Sequence, residues 1–244
     1  MPPDFREADH LPNLRSGRDP ADPCELPRQR RGRTPQMHGR YPDYDVLESA
    51  HAWDEVTRRL VLTRINDVPQ REFFSEVEFA TLEAFADDVM AQDGEPRIPV
   101  MAFVDAKLAA GSLDGYRYAD MPDDRDTWRL VARGLDEAAQ RAGHPSYALA
   151  PEEAQAEIMD AFAEAKLEGG AWEELNVTHA YGVVMRAIVA AFYSHPWAWN
   201  EIGFGGPAYP RGYARLGPGM TEAWEGIEAL DIDPVPDVKK RGLE

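Results

Sequence analysis

The sequence contains one cysteine, no long apolar run and too few basic residues to balance its acids. Cys24 by itself cannot close an intrachain disulfide, and it cannot supply the paired thiolates of a structural zinc or iron–sulfur site. No stretch approaches the roughly 20 consecutive apolar residues that span a bilayer, so no direct membrane insertion is expected. The 44 acidic residues exceed the 26 basic ones, and the resulting net charge of −18 argues against a nucleic-acid partner.

The first part of the chain differs in composition from the rest. Residues 1–40 contain eight arginines against six acids, together with seven of the 20 prolines. A segment this poor in apolar side chains cannot offset the entropy of its own ordering, so residues 1–44 are predicted to form an extended arm. Its basic cluster, Arg28 to Arg33, is followed by residues 34–42, which are not apolar, and no export signal peptide is therefore predicted.

From residue 45 onward the pattern predicts an all-α protein, an irregular bundle of about five to six helices. Residues 45–71 are interpreted as a strap or short helix, and Arg59 to Ile65 stay unassigned because they also fit a strand. Ser75 and Glu78 form a capping box that starts a helix. The predicted helical domain covers residues 72–213, and residues 214–244 form a C-terminal tail.

Four further helices are predicted, starting near Pro99, Asp123, Pro151 and Trp172. Apolar side chains at helical spacing predict the buried stripes, which include Leu82 and Phe85 in the first helix and Trp128, Val131 and Leu135 in the helix from Asp123. Proline suits the first turn of a helix, and acidic side chains there suit the helix dipole. The last helix, Trp172–Tyr193, is apolar on most sides, so it is predicted to be the longest helix and to lie in the middle of the bundle.

None of the motifs that suggest catalysis or cofactor binding has the sequence context that its chemistry needs. Gly203 to Ala208 fits a glycine-rich dinucleotide fingerprint, but a predicted helix precedes it and prolines follow it, so tight turning or close backbone approach is the preferred interpretation. His179 lacks the spacing of a metal ligand and is interpreted as a core residue. Paired acids such as Asp87-Asp88 are interpreted as solvated charge. The sequence thus predicts no catalytic, cofactor-binding or metal-binding residue in this chain.

The segment from Ala191 to Tyr213 is dense in aromatic residues, proline and glycine and holds few acids. This composition is typical of protein interfaces, and the alternative is a packed loop that covers the bundle. The residues predicted to contact a partner are Tyr193, His195, Pro196, Trp197, Trp199, Phe204, Tyr209, Pro210, Arg211 and Tyr213.

The same segment carries a resemblance. The strings Tyr-Ser-His-Pro from Tyr193, Glu-Ile-Gly-Phe-Gly-Gly-Pro from Glu201 and Tyr-Pro-Arg-Gly-Tyr from Tyr209 resemble the C-terminal signature of the gluconate 2-dehydrogenase subunit 3 family. The helix that begins near Phe74 and the later Phe-Val-Asp string at 103–105 are similar to the family's opening helices. The resemblance covers roughly residues 72–213.

The resemblance implies a non-catalytic small subunit without a cofactor of its own. In this family the subunit pairs with a large FAD-containing subunit of the glucose-methanol-choline (GMC) type and assists its folding or export. The complex oxidises a sugar, sugar acid, glycoside or alcohol and passes electrons to a cytochrome or another acceptor. An alternative is a dissociable chaperone for that flavoprotein. Many members carry a twin-arginine signal, so its apparent lack here favours the cytoplasm, with co-export to the periplasm as the alternative.

Overall fold

A computed structural model describes residues 41, 44–92, 96–112, 115, 117–215 and 220–226. Cys24 and most of the predicted N-terminal arm and C-terminal tail lie outside these ranges. Every regular element within them is a helix and none is a strand, which confirms the all-α prediction. Inside the same ranges, no helix combines the length and hydropathy needed to cross a bilayer.

The chain divides into two compact units, which are treated separately below. Unit 1 takes residues up to Asp67 and from Tyr193 onward, and unit 2 takes Val68–Phe192. The helices of unit 1 are a 3-10 helix at Val46–Ala52, α1 at Glu55–Asn66 and α7 at Pro196–Ile202. Those of unit 2 are α2 at Glu76–Val89, α3 at Val100–Ala109, α4 at Asp124–Arg141, α5 at Glu152–Ala163, a 3-10 helix at Gly170–Glu174 and α6 at Val177–Tyr193, whose last residue is assigned to unit 1.

The start of α2 confirms the predicted capping box. The Ser75 hydroxyl accepts from the Glu78 N–H at 3.3 Å, and the Glu78 carboxylate accepts from the Ser75 N–H at 2.8 Å. These reciprocal bonds satisfy two amide groups that the first helical turn would otherwise leave unpaired. Leu82 and Phe85 on the predicted apolar stripe are fully buried.

The core of unit 2 forms where α2, α4 and α5 meet. Phe162 is fully buried, and its ring centroid lies 5.9 Å from that of Phe85 and 4.9 Å from that of Trp172. On α4 the predicted stripe is buried, including Trp128 and Leu135. The amphipathic pattern of these helices therefore predicted their inward faces correctly.

The predicted helix Trp172–Tyr193 is wrong in both extent and position. Trp172 belongs to a 3-10 helix, and α6 begins at Val177 after an extended Leu175. The Asn176 side chain accepts from the His179 N–H at 3.2 Å, and because this amide has no partner within the helix, the bond caps the start of a new helix. α6 buries a single stripe while Val189 stays exposed, and α4, with 18 residues, is longer.

The unassigned segment Arg59 to Ile65 is helical. It belongs to α1, which begins where the Asp54 carboxylate accepts from the Thr57 N–H at 2.8 Å. Val61 is the one residue of α1 that is fully buried. The apolar positions that looked compatible with a strand are thus spread around a helix.

Candidate partner interface

His195 holds the start of α7. Its Nδ1 lies 3.2 Å from the Trp197 amide nitrogen, and its Nε2 lies 3.1 Å from the Arg64 carbonyl oxygen. An amide N–H donates and a carbonyl oxygen accepts, so Nδ1 is the acceptor and the proton of the neutral ring is on Nε2. His195 is 1% exposed, and both of its ring nitrogens are engaged in hydrogen bonds, one of which joins α7 to α1.

Trp199 continues this anchorage into an apolar cluster. Its indole N–H donates to the Tyr193 carbonyl at 2.6 Å, while its ring packs with Leu47, Trp53 and Val61. The neighbouring Asn200 side chain accepts from the Val46 N–H at 2.8 Å. These contacts explain why α7, although short and rich in tryptophan, is almost wholly buried.

The glycine-rich stretch allows close backbone approach, as the preferred interpretation predicted. Gly203 has a φ of 67° and ends α7 in the left-handed conformation that glycine adopts without steric cost. A Cβ atom at Gly205 would lie 2.5 Å from the Trp224 ring. A helix precedes these glycines, and the described residues after them form none, unlike the strand–turn–helix arrangement that a dinucleotide site needs.

Arg211 is buried and fastens the loop that follows. Its guanidinium donates to the Gly205 carbonyl, and its central carbon lies 4.2 Å from the centroid of the Trp224 ring. Burial lowers the pKa of Arg211 to about 10, although Glu222 and Glu225 oppose this shift. The described residues supply no hydrogen-bond partner for its Nε and Nη1. Arg211 is therefore a structural residue of unit 1.

The ten residues predicted to contact a partner divide evenly. The buried members, which hold the fold, are His195, Pro196, Trp197, Trp199 and Arg211. The exposed members, called the exposed aromatic set below, are Tyr193, Phe204, Tyr209, Pro210 and Tyr213. Tyr209 is the most exposed of its aromatic rings, at 67%. A contact role stays a prediction for all ten, but the exposed set is the part that a partner can reach without unfolding unit 1.

The structure adds three exposed apolar residues that the sequence did not single out. Met220 follows the exposed aromatic set in the chain, and Val56 and Leu60 lie on α1. With these, unit 1 carries seven of the 12 large hydrophobic side chains that are exposed, although it has fewer than half as many described residues as unit 2. Such enrichment is typical of a surface that another protein covers.

Unit 2 contains one exposed carboxylate–imidazole pair. Asp120 Oδ1 lies 2.9 Å from Nδ1 of His179, and Asp120 Oδ2 accepts from the Asn176 side-chain amide at 2.7 Å. The Asn176 bond, together with His179, lowers the pKa of Asp120. The Tyr118 ring stacks on the imidazole of His179, with 3.9 Å between the two ring centroids. His179 is thus partly exposed, not the core residue that the sequence suggested, and the described residues contain no group of three metal-ligating side chains.

Two acidic side chains in unit 2, those of Asp105 and Asp88, are wholly or partly shielded from solvent, which the sequence did not predict. The Asp105 carboxylate is inaccessible to solvent and accepts from the backbone N–H groups of residues 72–74. Asp88 accepts from the Tyr147 hydroxyl at 2.7 Å, and burial raises the pKa values of both groups. Asp88 therefore departs from the solvated charge that was expected of the Asp87-Asp88 pair. Nothing in the local pattern distinguishes these acids from exposed ones.

A pocket of about 250 Å³ in unit 2 lies beside the start of α3. Its wall includes Asp87, whose carboxylate accepts from Gln92 at 2.8 Å and from Arg97 at 2.5 Å. Gln92 also bonds the backbone of Ile98 in both directions. These polar groups bridge the ends of the α2–α3 connection, which accounts for their positions structurally.

Comparison with known proteins agrees with the resemblance seen in the C-terminal strings. The family model described as gluconate 2-dehydrogenase subunit 3 matches residues 76–206, which is more than half of the 244-residue chain. No curated protein and no solved structure matches the chain. The matched range starts at the first residue of α2 and ends in the glycine-rich stretch, after α7. The chain therefore belongs to the gluconate 2-dehydrogenase subunit 3 family, a family of subunits of multi-subunit dehydrogenase complexes.

Proposed function

We propose that this chain is the non-catalytic small subunit of an FAD-dependent GMC-type oxidoreductase complex. It stabilises the large catalytic subunit and assists its maturation, and the complex oxidises a sugar, sugar acid, glycoside or alcohol. FAD is held by the large subunit. Electrons leave through a cytochrome or another acceptor. Family membership supports the role of a dehydrogenase subunit, and the resemblance in the C-terminal strings is the basis for the flavoprotein partner.

The observation that carries the proposal is the concentration of exposed hydrophobic side chains in unit 1. Tyr193, Phe204, Tyr209 and Tyr213 are all more than 40% exposed, within 21 residues of sequence. Tyrosine and phenylalanine are frequent anchors at protein interfaces, because a large rigid ring buries much apolar area at little cost in entropy. Residues 202–220 contain no acid, so this part of an acidic chain also presents little charge that a partner would have to desolvate.

The interface is tested by separating exposed from buried aromatic residues. The full chain carries an affinity tag and is co-expressed with a GMC-type flavoprotein of the same organism. Wild type is expected to capture a yellow, FAD-bearing protein that reduces a dye when supplied with an alcohol or sugar. Phe204→Ser combined with Tyr209→Ser is expected to weaken binding about a thousandfold, since interface anchors contribute about 2 kcal/mol each and every 1.4 kcal/mol corresponds to a factor of about ten. The circular dichroism spectrum of this double variant should match that of wild type.

Leu149→Ser is the matched control, because Leu149 is 72% exposed and lies in unit 2. It is expected to bind as wild type does. Trp197→Ala serves as the opposite control, since Trp197 is buried and its loss should unfold unit 1. Undiminished capture by the Phe204/Tyr209 variant would remove the surface assignment, whereas failure of wild type to capture any flavoprotein would refute the proposed function.

Two parts of the proposal have their own measurements. A permanent subunit co-purifies in a fixed ratio with the flavoprotein, whereas the alternative, a dissociable chaperone, leaves the mature enzyme. The proposal places the complex in the cytoplasm, since no apolar stretch adjoins the Arg28 to Arg33 cluster. Cell fractionation tests this, and activity in a periplasmic extract would favour co-export with a partner that bears a signal.

A further inference from the structure

One helix of unit 1 is held on one side and uncovered on the other. The inner side of α1 is fixed by Val61 in the apolar cluster, with Leu62 and Ile65 packed against that cluster. The Arg64 guanidinium donates to the Ser194 carbonyl, and burial lowers the pKa of Arg64. The His195 ring in turn donates to the Arg64 carbonyl. α1 is therefore rigidly placed despite its few buried residues.

The opposite side of α1 is an exposed stripe that combines apolar and basic groups. Val56, Arg59, Leu60 and Thr63 follow at helical spacing, and all four are exposed. Val56 is 63% exposed and Leu60 59%. Aliphatic side chains one helical turn apart form the kind of ridge that an apolar groove of another protein accepts.

The charge of α1 is opposite to that of the whole protein. The helix has three arginines and one acid, Glu55, in a chain with a net charge of −18. Arg58 and Arg59 are exposed, and the described residues offer neither guanidinium a partner, although the chain is rich in carboxylates. By contrast, Arg97 and Arg133 in unit 2 form ion pairs with Asp87 and Glu174. The Arg59 guanidinium lies beside the apolar ridge, and without a partner among the described residues it is suited to a carboxylate from outside the chain. Arg58 lies on the opposite side of the helix.

We propose that the outer face of α1, formed by Val56, Arg59, Leu60 and Thr63, docks on a carboxylate-bearing apolar groove of the large flavoprotein subunit. This inference rests on the proposed function and adds a second contact to the exposed aromatic set. α1 lies before residue 76, where the family match begins, so the contact is an addition to the part of the chain that the family model describes. Because the exposed face of α1 is positively charged, the groove that binds it should carry carboxylates.

Two other occupants fit the face less well. A second copy of the chain also carries −18, so two copies repel each other at long range. An anionic membrane repels the chain for the same reason, and α1 has two exposed aliphatic side chains for insertion, far fewer than an interfacial helix uses. The large subunit is the occupant whose groove can be locally acidic while other contacts hold the complex.

The experiment measures affinity between the full-length chain and the purified flavoprotein at low and high salt. Arg59→Glu is expected to weaken binding about five- to tenfold at low salt, with a smaller effect at 0.5 M NaCl because salt screens exposed charge. Arg58→Glu, on the opposite side of α1, is expected to bind as wild type does. Arg59→Lys should retain most of the affinity. The matched control is Arg117→Glu, because Arg117 is also exposed and unpartnered among the described residues but lies in unit 2.

Each outcome has a defined meaning. Wild-type affinity for Arg59→Glu, or equal weakening by Arg58→Glu, would overturn the α1 contact and leave the proposed function intact. Equal weakening by Arg117→Glu would show a general effect of net charge and would also overturn it. No flavoprotein binding by wild type would refute both proposals. Binding of wild type, but not Arg59→Glu, to phosphatidylglycerol vesicles would assign the face to a membrane, and a loss of dimer mass in the variants would assign it to a second copy.

Discussion

Substitution of Asp105 tests the role of a buried carboxylate in unit 2. Its Oδ2 accepts from the Glu72 N–H at 2.6 Å, its Oδ1 accepts from the Phe74 N–H at 2.9 Å, and the Phe73 N–H lies 3.1 Å from both oxygens. These amides precede α2, and the carboxylate lies on α3, so the side chain joins two segments about 30 residues apart. Asp105→Asn keeps the shape but turns one acceptor into a donor that faces N–H groups.

The magnitude follows from the number of donors. A hydrogen bond to a charged group contributes about 1.5–3 kcal/mol, so loss of one such bond in Asp105→Asn is expected to cost about 2 kcal/mol. Asp105→Ala leaves the buried N–H groups of Phe73 and Phe74 unpaired at about 1–3 kcal/mol each and also removes the part-buried bond to Glu72, hence about 3 kcal/mol or more in total. Since whole proteins are stable by about 5–15 kcal/mol, the Ala variant should lie close to the limit of folding.

The assay is urea unfolding of the full chain, followed by circular dichroism. With a denaturant slope of about 2 kcal/mol/M, Asp105→Asn should lower the midpoint by about 1 M. Asp160→Asn is the control, because Asp160 lies exposed on α5 and should shift the midpoint little. Equal midpoints for Asp105→Asn and wild type would refute the conclusion that the carboxylate stabilises the residues before α2.

Two further predictions concern stability. Burial raises the pKa of Asp88 above its ordinary value of 3.8, so ionisation costs more in the folded than in the unfolded chain. As the pH rises above about 4, wild type should therefore lose stability relative to Asp88→Asn, whose amide oxygen still accepts from Tyr147. Melting temperatures of both proteins at pH 4 and pH 7 measure this. The same difference in melting temperature at both pH values would contradict the prediction. Gly205→Ala should destabilise the protein by about 1–3 kcal/mol, because the added methyl group would collide with Trp224. Gly182→Ala is the control, since a Cβ atom there meets no atom within 4 Å. The urea midpoints of the two variants are compared, and equal values would contradict the close packing at Gly205.

Several features followed from the sequence because they depend on neighbouring residues. The capping box at Ser75 and Glu78 needs side chains three positions apart, and the apolar stripe of α4, with Val131 and Leu135, needs a helical repeat. The all-α class was predictable for this reason, whereas the family resemblance rested on contiguous strings of residues. Arg59 to Ile65 were harder to assign, because α1 buries only Val61 and its apolar periodicity is weak.

Other features depended on contacts between residues distant in sequence. The aromatic composition of residues 193–213 indicated an interface, but composition cannot distinguish Trp197, which is buried, from Tyr209, which is exposed. Likewise, Asp105 resembles any other acid on a helix until folding brings it to the amides before α2. The sequence by itself thus determined most of the helices, since capping bonds and apolar periodicity are set within short segments, and the family, since its strings are contiguous in the chain. Tertiary structure alone decided which aromatic and charged side chains remain available to a partner, because burial is set by what the rest of the chain packs against them.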